Sequence, residues 1–361
     1  MSKKMSGWII GTVVFLGVGG CVLARYNTNS MAHVFYQQIV HSKTDSLPKK
    51  KNKSSLKTKV EKDQTSSFKK GDISQLLKDK SYVGSYATVA NGKISRTHYV
   101  GKGTKQNHNK YYLATDTENM LTAAAVLQLV DQGKLKLSTP INKYYDSLST
   151  SDKVTVQTLL DMTSGLSNDS IPNNQLMNVL NWNLNHVELG ATGQYNYQEV
   201  NYVLLEGIIS QVTNQSYQDY ITNTFLKPSK LGETKFASQV DGSKMAAPYS
   251  NGQLADNSTL AKAMNGQMGQ NQLVATPKDL LKLTQFLVKK YGNNPNFIGK
   301  QPSGRLIRDG DMYYVSGKIV GYRTAIAISK DGKQGIVLMS NDSNGKNDLT
   351  SLVKKAYADL K

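Results

Sequence analysis

The 361-residue sequence has one cysteine, Cys21, so no disulfide can form within the chain. A chain of this length must be held together by core burial, which suits a large domain better than a small disulfide-stapled scaffold. Histidines are also few. His33, His41, His98, His108 and His186 show no ligand spacing with one another or with cysteine, which argues against a zinc site. No phosphate-loop pattern is present, and Gly101 and Gly103 in "VGKGTKQNHNK" read as a turn. Acidic residues are outnumbered, 26 Asp and Glu against 44 Lys and Arg, for a formal charge of +18. Residues 1–80 hold 15 basic and 5 acidic side chains, and residues 81–361 hold 29 and 21. The excess is thus concentrated in the N-terminal stretch, not laid as a stripe on a folded face, and no nucleic-acid-binding motif accompanies it. Neither a cofactor, a metal nor a nucleic-acid partner is expected.

What is present begins with "MSKKMSGWIIGTVVFLGVGGCVLARYN". Lys3 and Lys4 precede an uncharged run from Met5 to Ala24, about long enough to cross a bilayer. The basic flank predicts a cytoplasmic N-terminus with the rest of the chain exported. Three fates are compatible with this segment: an uncleaved anchor, cleavage after Ala24, or lipidation at Cys21. The expectation is a signal anchor over residues 1–25, with membrane contact through residues 5–24 and a single pass through the cell membrane. Residues 26–70 are rich in Lys and Ser and too poor in apolar side chains to bury anything, so they read as a flexible linker. Their lysines could also be drawn to anionic lipid or wall polymer.

Residues 71–361 have a globular texture. "ISQLLKDK" reads as a short helix, and "YVGSYATVANGKISRTHYVGKG" as two strands joined at the Asn91-Gly92 turn. From Met120 to Val130 the chain has almost no polar face, which predicts a helix buried on nearly all sides and ended by Gly133. "NYQEVNYVLLEGIISQVTNQSYQDYITNTF" reads as two helices, and Thr276-Pro277 caps another. "MYYVSGKIVGYRTAIAISKDGKQGIVLMSND" reads as a pair of apolar strands around Asp331-Gly332, followed by an amphipathic closing helix. Strands at both ends with helices between them predict one α+β domain whose sheet uses both termini.

The order of these segments resembles the serine β-lactamase and penicillin-binding protein superfamily, in its β-lactamase-related group. "LTAAAVLQLVDQGKLKLSTPINKYY" resembles the nucleophile helix and its exit, and "VTVQTLLDMTSGL" the segment usually written LLTHTSGL. "YNYQEVNYVLLEGIISQVTNQSY", "LVATPKDLLKL" and "GYRTAIAISKDGKQGIVLMSN" match further landmarks. The resemblance implies an antiparallel sheet flanked by helices, with a helical subdomain, here preceded by the transmembrane segment.

The chemistry of that family is where the sequence departs. A serine at the start of the buried helix attacks an acyl carbonyl, and a lysine one turn later on the same face helps remove its proton. Alignment places Asp116 at the serine and Asn119 at the lysine. Asp116 could form only a reactive mixed anhydride, and Asn119 cannot act as a base. Tyr197 matches the tyrosine of the Tyr-x-Asn motif, where it could accept or donate a proton, but Glu199 stands at its asparagine. Val315-Ser316-Gly317 matches the inner-strand motif, with apolar Val315 at the cationic or imidazole position. Lys318 is no substitute, because strand alternation turns it away from the face of Val315 and Gly317. Ser164 and Ser316 carry hydroxyls near the expected cleft with no adjacent base.

Local structure offers another account of the first motif, since Thr115-x-x-Glu118 is a capping box in front of an apolar helix. With all three motifs altered, the expectation is a catalytically degenerate protein of the cell envelope. Asp116, Tyr197, Glu199 and Ser316 would contact a ligand such as teichoic acid or peptidoglycan. The rivals are an active serine-hydrolase-type enzyme on D-alanyl substrates and a scaffolding protein with no small-molecule site.

Overall fold

Asp72 accepts the Gln75 N–H at 3.2 Å and so caps the first helix, α1 (Ile73–Asp79). This computed structural model describes residues 72–101, 107–148, 152–168, 179–255, 269 and 271–360. The expected anchor and linker lie outside them. Among the described residues no helix is long and apolar enough to cross a membrane. Of two compact units, the larger has as its described residues those from Asp72 to Ile209 and from Tyr217 to Leu360, and the architecture below belongs to it except for Ser210–Thr213 at the end of α5; the described residues of the other are Ser210–Ser216.

The N-terminal strands are β1 (Gly84–Ala90), β2 (Lys93–Ile94) and β3 (His98–Val100). The Asn91-Gly92 turn joins β1 to β2 as expected, but the second strand is broken: β2 pairs with the end of β1 and β3 with its start. β4 (Tyr112–Leu113) leads into a 3-10 turn (Thr115–Glu118) and then α2 (Asn119–Asp131). α3 (Val156–Leu160), β5 (Leu166–Ser167), α4 (Val179–His186), β6 (Glu188–Leu189), α5 (Val200–Thr213) and α6 (Tyr217–Ile221) follow. Next come β7 (Thr234–Phe236), the hairpin β8 (Tyr249–Ser250) and β9 (Gln253–Leu254), β10 (Leu273–Ala275) and α7 (Pro277–Tyr291). The chain closes with β11 (Ile307–Asp309), β12 (Met312–Ile319), β13 (Tyr322–Ser329), β14 (Gly335–Ser340) and α8 (Leu349–Asp359).

The main sheet is antiparallel, in the order β11-β12-β13-β14-β1-β2, with β3 also on β1. β1 pairs β14, so the two ends of the domain meet in mid-sheet. The C-terminal segment gives three long strands, not the expected pair, because a second turn at Val320-Gly321 separates β12 from β13. All six residues of β14 are buried, as a strand covered on both faces requires. On one face, α1 and α8 pack Ile73, Leu77, Leu352, Val353 and Ala356 against Tyr86, Ala325, Ile336 and Leu338. On the other, α7 lies on β1 and β14, with α2 beneath it. A smaller sheet, β4-β10-β7, leads through β4 into the turn at the head of α2.

Candidate active site

The turn at the head of α2 starts from a strained residue. Thr115 has φ +54°, rare for a β-branched side chain and worth roughly 1–3 kcal/mol of strain. The expected capping box does not form, since neither the turn nor α2 carries a side-chain cap bond. Glu118 turns inward instead, and its Oε2 accepts the N–H groups of Gln272 and Leu273, both at 2.7 Å. Two backbone donors presented by the β10 segment outcompete a local cap, and they tie the turn to the strand that follows Asn271.

Asp116 lines the cleft above this turn. Its Oδ1 accepts the Asn271 Nδ2–H at 3.2 Å, and the Lys318 backbone N–H also stabilises its carboxylate. Burial raises its pKa, with these donors opposing the rise. The Tyr197 hydroxyl interacts electrostatically with this carboxylate but is buried without a hydrogen bond of regular geometry. Burial first, then the charges of Asp116 and Glu199, push the phenol well above its ordinary pKa. Tyr197 is therefore a neutral group that can donate but not act as a base near neutral pH. Asp116 and Glu199 both act on this one hydroxyl.

Of the other sequence-selected residues, Ser316 and Gly317 share the cleft with Asp116, and Asn119 and Val315 do not line it. Asn119 is wholly buried, and its Nδ2 donates to the Ser303 carbonyl at 2.9 Å, so it ties α2 to a loop instead of facing a ligand. Val315 is 2 % exposed and apolar as read. Gly317 lies against Thr115 and Asp116. The Lys318 side chain points elsewhere, to Asn344 Oδ1 at 2.9 Å, as the alternation predicts. Ser316 lines the same cleft as Asp116, and its Oγ bonds Thr350 Oγ1 on α8 at 2.8 Å. Ser164 donates to Asn201 Oδ1 at 2.6 Å, a structural tie with no base in it. β11 pairs only with Met312–Tyr314 of β12, so Val315–Ile319 form a strand edge beyond it. An open cleft of about 530 Å³ is lined by Asp116, Gly317, Lys318, Arg323, Asp348 and Thr350, among others.

Two parts of the site escape sequence reading. The Ser303–Arg305 loop forms a wall: a Cβ on Gly304 would stand 2.3 Å from the Asp116 carbonyl oxygen. Arg305, 2 % exposed, anchors this loop through Asp161 Oδ1 at 2.6 Å and the Asn296 carbonyl at 2.7 Å. A lone Gly-Arg pair after Pro302 gives no local signal of this. Beneath the turn, Glu118 and Glu206 are both buried, and Glu118 Oε1 and Glu206 Oε2 have no hydrogen-bond partner. Burial, opposed by the two N–H donors, pushes Glu118 to about 7, and burial plus the Glu118 charge raises Glu206 well above the carboxylate range. Among the described residues no group of three or more His, Cys, Asp or Glu could hold a metal ion.

A mixed-origin antiparallel sheet between helices, with a cleft at the head of a buried helix, is the β-lactamase/transpeptidase-like α+β fold. The chain belongs to the beta-lactamase family, whose model matches residues 72–357. It is similar to "Putative penicillin-binding protein PbpX" of Bacillus subtilis, 26% identical over 310 residues, 75% of this chain and 74% of that protein. Protein Flp of Staphylococcus aureus is 33% identical over 141 residues, which span 35% of this chain and 28% of that one. Among solved structures, FmtA from Staphylococcus aureus superposes with a TM-score of 0.67 at 19% identity, over 80% of this chain and 85% of that one. D-amino acid amidase from Ochrobactrum anthropi gives 0.65 at 18%, over 80% and 96%. At these identities the structural likeness concerns the fold alone.

Proposed function

We propose that this protein is a membrane-anchored, extracytoplasmic member of the family that binds a cell-envelope ligand without hydrolysing it. The observation that carries this reading is the pair at the head of α2. Asp116 stands at the nucleophile position with its carboxylate held by Asn271 and Lys318, and Asn119, at the base position, is spent on Ser303. Neither supplies an attacking hydroxyl, Asn119 cannot act as the base, and burial holds Tyr197 protonated. The test is intact-mass analysis after incubation with a β-lactam, alongside assay of D-alanyl ester hydrolysis. The expected result is no covalent adduct and no turnover above background; a stable acyl mass overturns the reading.

The ligand we infer is a D-alanylated wall or lipoteichoic polymer. An ester-linked D-alanine carries an ammonium; Asp116 lines the cleft, and Glu199, which acts with it on the Tyr197 hydroxyl, would add negative charge nearby. The edge of β12 at Ser316-Gly317 supplies backbone contacts. Binding is expected to favour the D-alanylated polymer over its de-esterified form. Equal affinity for both, or an unchanged preference in the Asp116→Ala, Glu199→Ala double variant, contradicts it. Lys3 and Lys4 ahead of the apolar run support the export in this reading. Protease added to intact protoplasts should remove the domain, and survival until lysis would reverse the orientation.

A further inference from the structure

A second concavity, of about 610 Å³, is lined by residues from 222 to 239 and shares none with the Asp116 cleft. Its floor includes Leu226 and Leu231, which are 4% and 8% exposed, and its rim carries the exposed side chains of Lys227, Lys230 and Lys235. No acidic residue lines it. Glu233, within this stretch but not in the lining, is engaged elsewhere: its Oε2 accepts from Thr276 Oγ1 at 3.2 Å and its N–H donates to Asp279 Oδ2 at 2.7 Å. Lys227, Lys230 and Lys235 thus line the concavity with no acidic residue in its lining, and Lys227 Nζ donates to the neutral Asn223 Oδ1 at 2.8 Å. Thr234 also lines it, and its Oγ1 is buried with no hydrogen-bond partner.

The backbone is built to hold this shape. Residues Thr222–Leu226 form a π-helical turn after α6, closed by the Lys227 N–H on the Thr222 carbonyl at 2.9 Å. Such turns add a residue to a helix and recur where a helix end is shaped for function. Lys230 follows in the left-handed region at φ +52°, and its carbonyl accepts the Lys282 Nζ–H at 3.1 Å, which brings a fourth ammonium to the same segment. Lys235 sits on β7, the edge strand of its sheet. An apolar floor under a rim of point charges suits a small anion carried on an aliphatic backbone, since lysine binds phosphate oxygens as a point charge with charge-assisted hydrogen bonds.

We propose that this concavity is a binding site for the phosphodiester groups of a polyol-phosphate polymer or of an anionic lipid headgroup, held by Lys227, Lys230 and Lys235. It does not rest on the role given to Asp116, and Asp116→Ala should leave it unchanged.

The test titrates the full chain with soluble poly(glycerol phosphate), and separately with vesicles of phosphatidylglycerol or of phosphatidylcholine. Saturable binding of the polymer is expected, weakened about tenfold or more in the Lys227→Ser, Lys230→Ser, Lys235→Ser triple variant, as loss of several charge-assisted contacts implies. A control with the same charge change at the exposed Lys134, Lys136 and Lys143 should bind like the parent. The single variant Lys235→Ser should show a smaller loss in the same direction, which keeps the test decisive if the triple variant folds poorly. Binding to phosphatidylglycerol vesicles alone assigns the headgroup as the source of the phosphodiester. Equal weakening by the triple variant and the control reduces the effect to net charge and overturns the site. So does the absence of saturable binding to either phosphodiester probe.

Discussion

Gly317 lies so close to Asp116 that a Cβ on it would stand 2.6 Å from the Asp116 backbone nitrogen and 2.9 Å from its Cβ. The absence of a side chain is what lets β12 approach the head of α2 and bring the Lys318 N–H to the carboxylate. Gly317→Ala should therefore cost about 1–3 kcal/mol, the usual price of overpacking. It should also weaken the Asn271–Asp116 contact. Ser316→Ala, which loses only the bond to Thr350, should cost about 1 kcal/mol. Urea midpoints of the two variants check this, and Gly317→Ala unfolding no earlier than Ser316→Ala would contradict the packing argument.

Asp116→Asn removes the charge beside Tyr197. The phenol should then titrate at lower pH than in the parent, yet stay above its ordinary value because burial is the larger cause. Tyrosine-resolved titration by NMR reads this directly. No change on substitution would mean that the two side chains do not interact in solution.

The buried carboxyl of Glu118 makes stability depend on pH in a definite direction. Its folded pKa, about 7, lies above the ordinary 4.5, so the folded chain holds the proton more tightly than the unfolded chain. The associated stability is fully present below about pH 4.5 and is lost as pH rises through about 7, with an upper size of about 3 kcal/mol. Glu206 and Asp116, also raised, contribute with the same sign. Glu118→Gln keeps an acceptor for Gln272 and Leu273 but cannot ionise, so denaturation midpoints between pH 4.5 and 7.5 should vary less than in the parent. An equally steep profile in the variant would place the pH dependence elsewhere.

Arg305→Ala strips the buried partner from Asp161 and releases the loop that holds Asn119. Breaking a buried pair costs about 3–5 kcal/mol, and the lower end applies because the Asp161 side chain keeps 34% exposure. Thermal unfolding measures the loss. A cost within about 0.5 kcal/mol of zero, as for an ordinary surface substitution, would show that the pair does not hold the loop.

Much of the framework is legible in the sequence. The Asn91-Gly92 and Asp331-Gly332 turns, the Thr276 cap and the run from Met120 to Val130 are local signals. They appear as the β1–β2 connection, the β13–β14 connection, the start of α7 and the buried α2. The extra break at Val320-Gly321 leaves no separate signal, because two long apolar strands and three shorter ones share the same alternation. The residue types at the site were also legible, as was the outward turn of Lys318. Their partners were not. Thr115-x-x-Glu118 has the pattern of a cap, but Glu118 bonds Gln272 across 154 positions, and Asn119 bonds Ser303 across 184. Glu118 acts on Glu206 only because the turn before α2 and the helix α5 are brought together in the folded chain. A cap and a long-range hydrogen bond are each worth about 1 kcal/mol, so the choice between them falls to whichever donors the assembled core presents. Sequence sets which groups are available, and packing alone decides which of them meet.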